Sequence, residues 1–292
     1  MRSTLHLFIG ASLVAIAAVA APAAAEDYKE VWKASGFMAP ESVSYDPGTK
    51  SLFVSNINSP DFSPNGKGYI SQVGLTGDII KEHFVDGLNA PKGTYVSNGK
   101  LYVAAVGELV EIDIKSGKIA NHYPAAEATF LNDVAVGPDG RAFVTETFQS
   151  TIYVLENGKL SKWLTDPQLA GANGIIVDGS DLRVATLGDM SGGFEKMKPS
   201  NIKTANIETK KITDYGSPGP IGALDGIEKM DQGLMVTDNS GGRLVQVKPD
   251  GTTTVLAMPG AGSADLEYVP DQHLVVIPNL QTGAVVAYKV GM

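Results

Sequence analysis

Apolar positions in this chain occur in short runs, without the long helical spacing that amphipathic helices require. Val, Ile, Leu, Tyr and Phe recur in groups of a few residues that Gly, Asn, Asp and Pro interrupt, from residue 27 onward. Such runs are typical of short β-strands joined by tight turns. The pattern predicts an all-β fold.

One unit of this pattern recurs six times. Each copy has a polar second residue, a short strand, a turn and a second strand, as in LNDVAVGPDGRAFVTET from Leu131. The other copies are PESVSYDPGTKSLFVSN, PKGTYVSNGKLYVAA, ANGIIVDGSDLRVAT, LDGIEKMDQGLMVTD and ADLEYVPDQHLVVIP. Their second residues are 51, 40, 41, 52 and 40 positions apart, a spacing that fits four-stranded propeller blades. Six copies therefore predict a six-bladed β-propeller.

The two ends of the chain each resemble part of a blade. The last copy continues as QTGAVVAYKV and has room for three strands, whereas residues 27–37 precede the first copy and alternate as a strand does. A strand from the N-terminal side would complete the last blade and remove an open sheet edge. We therefore expect a ring of four-stranded blades that an N-terminal strand closes.

The beginning of the chain has a different composition. Arg2 precedes a long apolar stretch that ends in three alanines, which is the pattern of a secretory signal peptide. A membrane anchor is the alternative, but Gly10 and Pro22 interrupt the apolar run. We predict a signal peptide over residues 1–25, a single propeller domain over 26–292, and a periplasmic or secreted protein without membrane insertion after cleavage.

Composition excludes several classes of protein. The chain has no cysteine, so disulfides and thiolate metal sites are excluded. Its net charge of -9 argues against nucleic acids and anionic membranes as partners. The signatures of serine hydrolases, zincins and P-loop proteins are absent. His83 and His122 fall in predicted outer strands and His273 in a turn, so none is expected to serve as a base in the channel.

The second residues of the six copies are candidates for a shared site, because the first strand of a propeller blade is innermost. These residues are Glu41, Lys92, Asn132, Asn173, Asp225 and Asp265. Any one Asn or Asp could simply cap a turn. Three carboxylates at one channel mouth, however, would repel each other without a positive partner. Either Lys92 or a hard divalent cation such as Ca²⁺ or Mg²⁺ could be that partner.

Two of the intervals between copies are longer than the others. The extra residues follow the second strand of the first and fourth copies, over 56–68 and 187–201. A second strand ends on the face where the first begins, so both insertions should overhang the polar ring. We expect them to form lids or walls of a pocket for a small molecule.

With these motifs, the chain resembles the senescence marker protein/gluconolactonase/luciferin-regenerating enzyme family, six-bladed propellers that hold a divalent metal in the channel. The resemblance implies that Glu41, Asn173 and Asp225 are metal ligands. It also implies that Asp225 is the catalytic carboxylate and that Asn132 contacts substrate or metal-bound water. The cofactor that it implies is one divalent ion, with Ca²⁺ expected before Mg²⁺, Mn²⁺ or Zn²⁺.

The activity that the resemblance implies is metal-dependent hydrolysis of a lactone or related cyclic ester, by metal-activated water at the channel mouth. Phe130 stands where lactonases of the family commonly have Arg, so we expect a small-molecule substrate less polar than a free sugar. Lys92 and Asp265 complete the expected substrate-binding set, although Lys92 could instead pair with Asp225 or Asp265 and compete with the metal. The alternative is a non-catalytic periplasmic propeller with a structural Ca²⁺ site that binds a small ligand or a partner. The oligomeric state stays open.

Overall fold

The computed structural model of the protein describes residues 28–193, 197–216 and 219–290, so the predicted signal peptide lies outside the described residues. In these ranges the chain forms 24 strands in six four-stranded antiparallel sheets, which confirms the predicted six-bladed propeller. Within them no helix is long and apolar enough to cross a bilayer.

The first five blades follow one another along the chain, with the innermost strand first in each. Blade 1 consists of β2 (Pro40–Asp46), β3 (Ser51–Asn56), β4 (Gly68–Gly74) and β5 (Ile79–Leu88). Blade 2 consists of β6 (Thr94–Ser97), β7 (Lys100–Ala105), β8 (Glu108–Asp113) and β9 (Lys118–Pro124). Blade 3 consists of β10 (Leu131–Val136), β11 (Ala142–Glu146), β12 (Thr151–Glu156) and β13 (Lys159–Thr165). Blade 4 consists of β14 (Ala172–Asp178), β15 (Asp181–Thr186), β16 (Ile202–Asn206) and β17 (Ile212–Asp214). Blade 5 consists of β18 (Leu224–Met230), β19 (Gly233–Asp238), β20 (Arg243–Val247) and β21 (Thr253–Ala257).

The sixth blade combines strands from both ends of the described chain. It consists of β22 (Glu267–Val269), β23 (Leu274–Asn279), β24 (Ala284–Val290) and β1 (Tyr28–Ser35). β1 is the outermost strand and pairs antiparallel with β24, from Tyr28 opposite Val290 to Ser35 opposite Ala284. Trp32 of β1 packs on the apolar cluster shared with blade 1, and its Nε1 donates to the Leu75 carbonyl at 2.8 Å.

The core is divided into six apolar clusters, each between the facing sheets of two neighbouring blades. Between blades 1 and 2, for example, Phe53 and Ile70 pack against Leu101 and Val103, and all four side chains are fully buried. Each sheet thus has apolar residues on both faces, which explains why the strands lack a clean alternation of apolar and polar residues. Trp163 in the outer strand β13 packs on the cluster between blades 3 and 4, and its ring meets Phe143 edge to face at 5.5 Å.

The innermost strands of blades 1, 3, 4 and 5 begin with a β-bulge. The pairing register shifts between the first and fourth residues of β2, β10, β14 and β18, so that two residues oppose one on the next strand. In three of these blades a hydroxyl on the second strand accepts the hydrogen bond of the bulged N–H. The pairs are Ser42 N to Ser55 Oγ, Asp133 N to Thr145 Oγ1 and Gly226 N to Thr237 Oγ1, at 2.8–2.9 Å. Bulges of this kind re-aim the side chains at the start of a strand.

Glycine follows the polar second residue in blades 2, 4 and 5. These glycines are Gly93, Gly174 and Gly226. A Cβ at Gly174 would lie 2.3 Å from the Asp225 carbonyl oxygen, and a Cβ at Gly226 would lie 2.6 Å from the Asp265 Cα. Glycine therefore lets the innermost strands of neighbouring blades approach closely around the channel.

Candidate functional site

Five of the six predicted ring residues line one cavity, of about 470 Å³. They are Glu41, Lys92, Asn132, Asn173 and Asp225. Each is at most 5% exposed. Ser59, Pro60 and Phe62 of the first insertion, and Leu187 and Met197 of the second, also line the cavity. The prediction that both insertions overhang the ring is therefore confirmed for their described residues, and residues 194–196 lie outside these.

Asp265 lies elsewhere, so the expectation that all six positions meet at one mouth is wrong for this residue. It lines a second cavity, of about 280 Å³, with residues farther along the innermost strands, including Asp133. Two donors hold its carboxylate at that level: Ser42 Oγ to Oδ2 at 2.6 Å, and Leu266 N to Oδ1 at 2.8 Å. A role for Asp265 in contact with a ligand of the first cavity has no support in this geometry.

Three oxygens at the base of the first cavity are buried without a hydrogen-bond partner in the described part of the chain. They are Glu41 Oε2, Asn132 Oδ1 and Asp225 Oδ1. The partner atoms of two of these groups are anchored, because Asn132 Nδ2 donates to Thr147 Oγ1 and Asn239 Nδ2 donates to Asp225 Oδ2, both at 2.8 Å. Leaving such an acceptor unsatisfied costs about 1–3 kcal/mol, and more for a charged group. The oxygens of Asn132 and Asp225 are thus fixed in place, and all three are available to a positively charged or hydrogen-donating ligand.

The two carboxyl groups of the cavity are strongly perturbed. Burial, followed by repulsion from Asp225 and Asp265, raises the pKa of Glu41 well above its ordinary value. Burial and repulsion from Asp265 raise the pKa of Asp225 to about 7. A cation bound between these groups would remove the penalty by favouring the ionised forms.

The donor set at the base of the cavity fits a hard cation, but only if amides take part. No three Asp, Glu or His side chains converge as a metal site in the described residues. The fit therefore depends on an amide oxygen of Asn132 or Asn173 in addition to Glu41 and Asp225. Carboxylate and amide oxygens are the ligands that Ca²⁺ accepts, with Mg²⁺ as the more demanding alternative.

Lys92 does not form the ion pair with Asp225 or Asp265 that the sequence left open. Its Nζ donates to the Leu131 carbonyl at 3.2 Å, makes a longer contact of 3.5 Å with the Ala90 carbonyl and lies 4.1 Å from the centre of the Phe130 ring. None of the ion pairs within the described ranges includes it. Burial lowers the pKa of Lys92 to about 8, against the opposing charges of Glu41 and Glu146.

An aromatic wall flanks the lysine. Phe130 contacts Phe62 from the first insertion, with ring centres 5.7 Å apart, and Phe148 at 4.5 Å. The carboxylate of Glu146 fixes this segment, since its Oε1 accepts hydrogen bonds from Phe130 N at 2.8 Å and Thr129 N at 3.1 Å. Phe62 and Phe130 of this wall line the cavity and make one side of it apolar.

Sequence reasoning missed Phe62, Phe148, Asn239 and Glu146. A signal for Glu146 was present, because the second strand ends with a polar residue in several copies. Asn56, Asp238 and Asn279 occupy this position in three other blades. Asn56 Oδ1 and Asp238 Oδ1 each accept a backbone N–H from the segment just before the innermost strand, as Glu146 does.

The predicted positions of the histidines are confirmed: the side chains of His83 and His122 are about half exposed, and His273 lies in a turn.

The second cavity predicts an unusual dependence of stability on pH. Four acidic side chains line it: Asp133, Asp265, Glu228 and Glu267. Burial is the main cause that raises all four pKa values, that of Asp265 to about 7 and that of Glu267 to about 8. Lys229, which also lines the cavity, donates to Asp178. Between pH 4 and 8 the folded state therefore binds more protons than the unfolded chain does.

The stabilisation from these protons is complete below the ordinary carboxyl pKa of about 4 and is lost as the pH rises through 7 to 8. We expect the free energy of unfolding to fall between pH 5.5 and 8.5, by about 1.4 kcal/mol per pH unit for each proton that only the folded state binds. Urea titrations in the presence of a chelator measure this slope. Glu267→Gln should flatten it, and a wild-type slope of zero or opposite sign would contradict the prediction.

Comparison with known proteins identifies the fold. No family model and no curated protein matches the chain. Among solved structures, a candidate gluconolactonase superposes with a TM-score of 0.68 and 14% identity, covering 91% of this chain and 93% of its own. Regucalcin, a calcium-binding protein from Agrobacterium tumefaciens, has a TM-score of 0.67 and 16% identity, with coverage of 88% and 92%. A gluconolactonase from Xanthomonas campestris has a TM-score of 0.66 and 14% identity, with coverage of 90% and 87%.

These identities are low, so the likeness concerns the fold and leaves the reaction to be argued from the site. The resemblance predicted from the blade-opening motifs is confirmed at that level. This chain is a six-bladed β-propeller whose structural neighbours include gluconolactonases and regucalcin.

Proposed function

We propose that this protein is a metal-dependent hydrolase of a lactone or related cyclic ester with an apolar body. The observation that carries the proposal is the set of three buried oxygens without partners, from Glu41, Asn132 and Asp225, at the base of a cavity with an aromatic wall. Two of the protein's structural neighbours are described as gluconolactonases, which supports the lactone substrate, and regucalcin is described as calcium-binding, which supports the metal ion. The leader-like N-terminal sequence supports a periplasmic or secreted location.

Glu41, Asn173 and Asp225 would hold one divalent ion, Ca²⁺ before Mg²⁺, Mn²⁺ or Zn²⁺. When bound, such an ion polarises an ester carbonyl and lowers the pKa of water. The roles of the protein side chains follow from their contacts. Asn132 offers its amide oxygen to the substrate because Thr147 holds the amide nitrogen. The insertions and Phe130 bound the cavity.

In this proposal Asp225 is the proton acceptor. Its Oδ2 is held by Asn239, while Oδ1 has no partner and belongs to a side chain that lines the cavity. In hydrolysis, the water oxygen forms a bond to the acyl carbon and the ring carbon–oxygen bond breaks. Asp225 Oδ1 takes one proton from water, and the ring oxygen leaves as a hydroxyl after a proton returns to it. The product is a hydroxy acid.

A hydrolysis panel with defined metal content tests this function. Purified protein is stripped with a chelator, reloaded with Ca²⁺, Mg²⁺, Mn²⁺ or Zn²⁺, and assayed on aryl-substituted lactones, aryl esters and gluconolactone. We expect turnover only with metal, and a higher kcat/KM for aryl-substituted lactones than for gluconolactone, because Phe130 replaces a charged hydrogen-bond donor with a ring.

Two outcomes would count against the proposal. Hydrolysis that is unchanged after chelation would remove the metal from the mechanism. Tight binding of Ca²⁺ without turnover of any ester would instead favour the alternative, a non-catalytic propeller with a structural ion. Heating the protein with and without Ca²⁺ separates this second outcome from simple loss of folding, since bound ligand raises the melting temperature.

A further inference from the structure

Lys92 carries a buried charge without a carboxylate partner. Its side chain is 1% exposed, yet it lines the first cavity beside the aromatic wall. An ammonium group has three N–H donors. The Leu131 carbonyl accepts at 3.2 Å and the Ala90 carbonyl lies at the limit of hydrogen bonding, at 3.5 Å. At least one donor therefore remains for a molecule that occupies the cavity.

The charged side chains around the cavity do not balance once an ion is bound. In the described part of the chain, Glu41, Asp225 and Lys92 are the charged residues that line it. A divalent ion would balance the two carboxylates, which leaves Lys92 without a counter-charge among the residues that line the cavity. Glu146 also acts on Lys92 through its charge, but it forms no ion pair with Lys92, and its oxygens accept hydrogen bonds from Thr129, Phe130 and Gln149. A buried charge in this state is costly, and a bound anion would compensate it.

The direction from which an anion can approach Lys92 is restricted. Phe130 lies against the ammonium at 4.1 Å, and the two carbonyls lie on the innermost strands or just before them. The remaining approach is from the cavity, which Lys92 lines together with Glu41 and Asn132. An anion there would sit close to the ester that these oxygens would orient.

We propose that the substrate is an anionic cyclic ester, whose carboxylate binds Lys92 while its apolar part packs on Phe130. The proposal rests on the function proposed above and narrows its substrate class. One carboxylate brings the metal-loaded cavity to neutrality, whereas a phosphate dianion would leave it negative. Hydrolysis of such a substrate turns a lactone carboxylate into a hydroxy dicarboxylate, with the bond changes described above.

A pair of substrates tests the charge directly. The pair is a phenyl-substituted five-membered lactone that carries a carboxylate, and the same lactone with a primary carboxamide. We expect metal-loaded wild-type protein to prefer the carboxylate by on the order of 10- to 100-fold in kcat/KM, the range for a charge-assisted hydrogen bond. Lys92→Met, which keeps the apolar stem, should lose this preference by slowing hydrolysis of the carboxylate alone. Lys159→Met removes an exposed lysine from the far end of blade 3 and should keep it.

A binding arm separates this inference from the function on which it rests. The lactam analogues of both compounds hydrolyse far more slowly than the lactones. Calorimetry with Ca²⁺-loaded protein and these lactams therefore measures binding without turnover. If no ester is hydrolysed but the lactam carboxylate binds wild type at least 10-fold tighter than Lys92→Met, the hydrolase proposal fails and the anion site stands.

Three results would overturn the inference. Wild-type protein that treats carboxylate and carboxamide equally has no anion site, and this readout needs no variant. If Lys92→Met keeps the preference for the carboxylate, the substrate carboxylate binds the metal ion and not Lys92. A similar loss on both lactones would place Lys92 at the reacting carbonyl and not at a substrate carboxylate.

Discussion

Asp225→Asn is expected to lower kcat/KM for lactone hydrolysis by roughly 10³-fold or more while the propeller stays folded. The substitution keeps the shape of the side chain and an oxygen for the hydrogen bond from Asn239. It removes the proton acceptor and one of the two carboxylate ligands of the proposed ion. Kinetics at saturating metal measure the loss, and Glu156→Gln, an exposed acidic residue at the β12–β13 turn, is the matched control.

Thermal melting of the same variant distinguishes the two roles of Asp225. Without metal, Asp225→Asn should melt at or above the wild-type temperature, because it removes a buried carboxyl group with a raised pKa. The increase in melting temperature on adding Ca²⁺ should shrink if Asp225 is a ligand. A loss of activity below about 10-fold would contradict the catalytic role, and a full Ca²⁺ response would contradict the ligand role.

Gly226→Ala is expected to destabilise the protein by about 1–3 kcal/mol or more, the range for overpacking a rigid interior. The new methyl group would lie 2.6 Å from both Asp265 Cα and Leu266 N, and these backbone atoms cannot rotate away. The innermost strands of blades 5 and 6 must then separate. Since Asp225 is the preceding residue, Ca²⁺ affinity should fall as well.

Urea unfolding and Ca²⁺ titration of Gly226→Ala measure both effects. Gly107→Ala is the control, because the nearest atom to a Cβ there is the Ala128 carbonyl oxygen at 3.9 Å. We expect the control to keep wild-type stability within about 1 kcal/mol. Equal midpoints for the two variants would show that close approach around the channel is unimportant.

The propeller could be predicted from the sequence because each copy carries its own strands and turn. The copies also identified which residues meet at the channel, since the second residue of a copy occupies the same place in the first five blades. Glu41, Asn132, Asn173 and Asp225 were found in this way, and the described structure brings all four to one cavity. Comparing the copies needs only the residues within each blade, so the result does not depend on which blades are neighbours.

The remaining features depend on contacts between blades, which no single copy contains. Ser42 of the next blade donates a hydrogen bond to Asp265 and holds its carboxylate at the second cavity. The sequence of the sixth copy alone contains no sign of this contact. The Lys92 ammonium contacts a backbone carbonyl and the Phe130 ring, and it forms no ion pair with a carboxylate in the described residues. Phe62 comes from an irregular insertion, where spacing predicts the face of the propeller but not which side chain enters the cavity.

The sixth blade has a consequence for the order of folding. β1 and β24 are neighbours in one sheet, although nearly the whole described chain separates them. Blades 1 to 5 form from contacts between successive strands, whereas β1 can pair only when the last blade exists. Pairings over such long separations form slowly because the entropy of loop closure opposes them. The outer edge of β24 is therefore the last hydrogen-bonding edge to be covered, and association between incompletely folded chains should begin there.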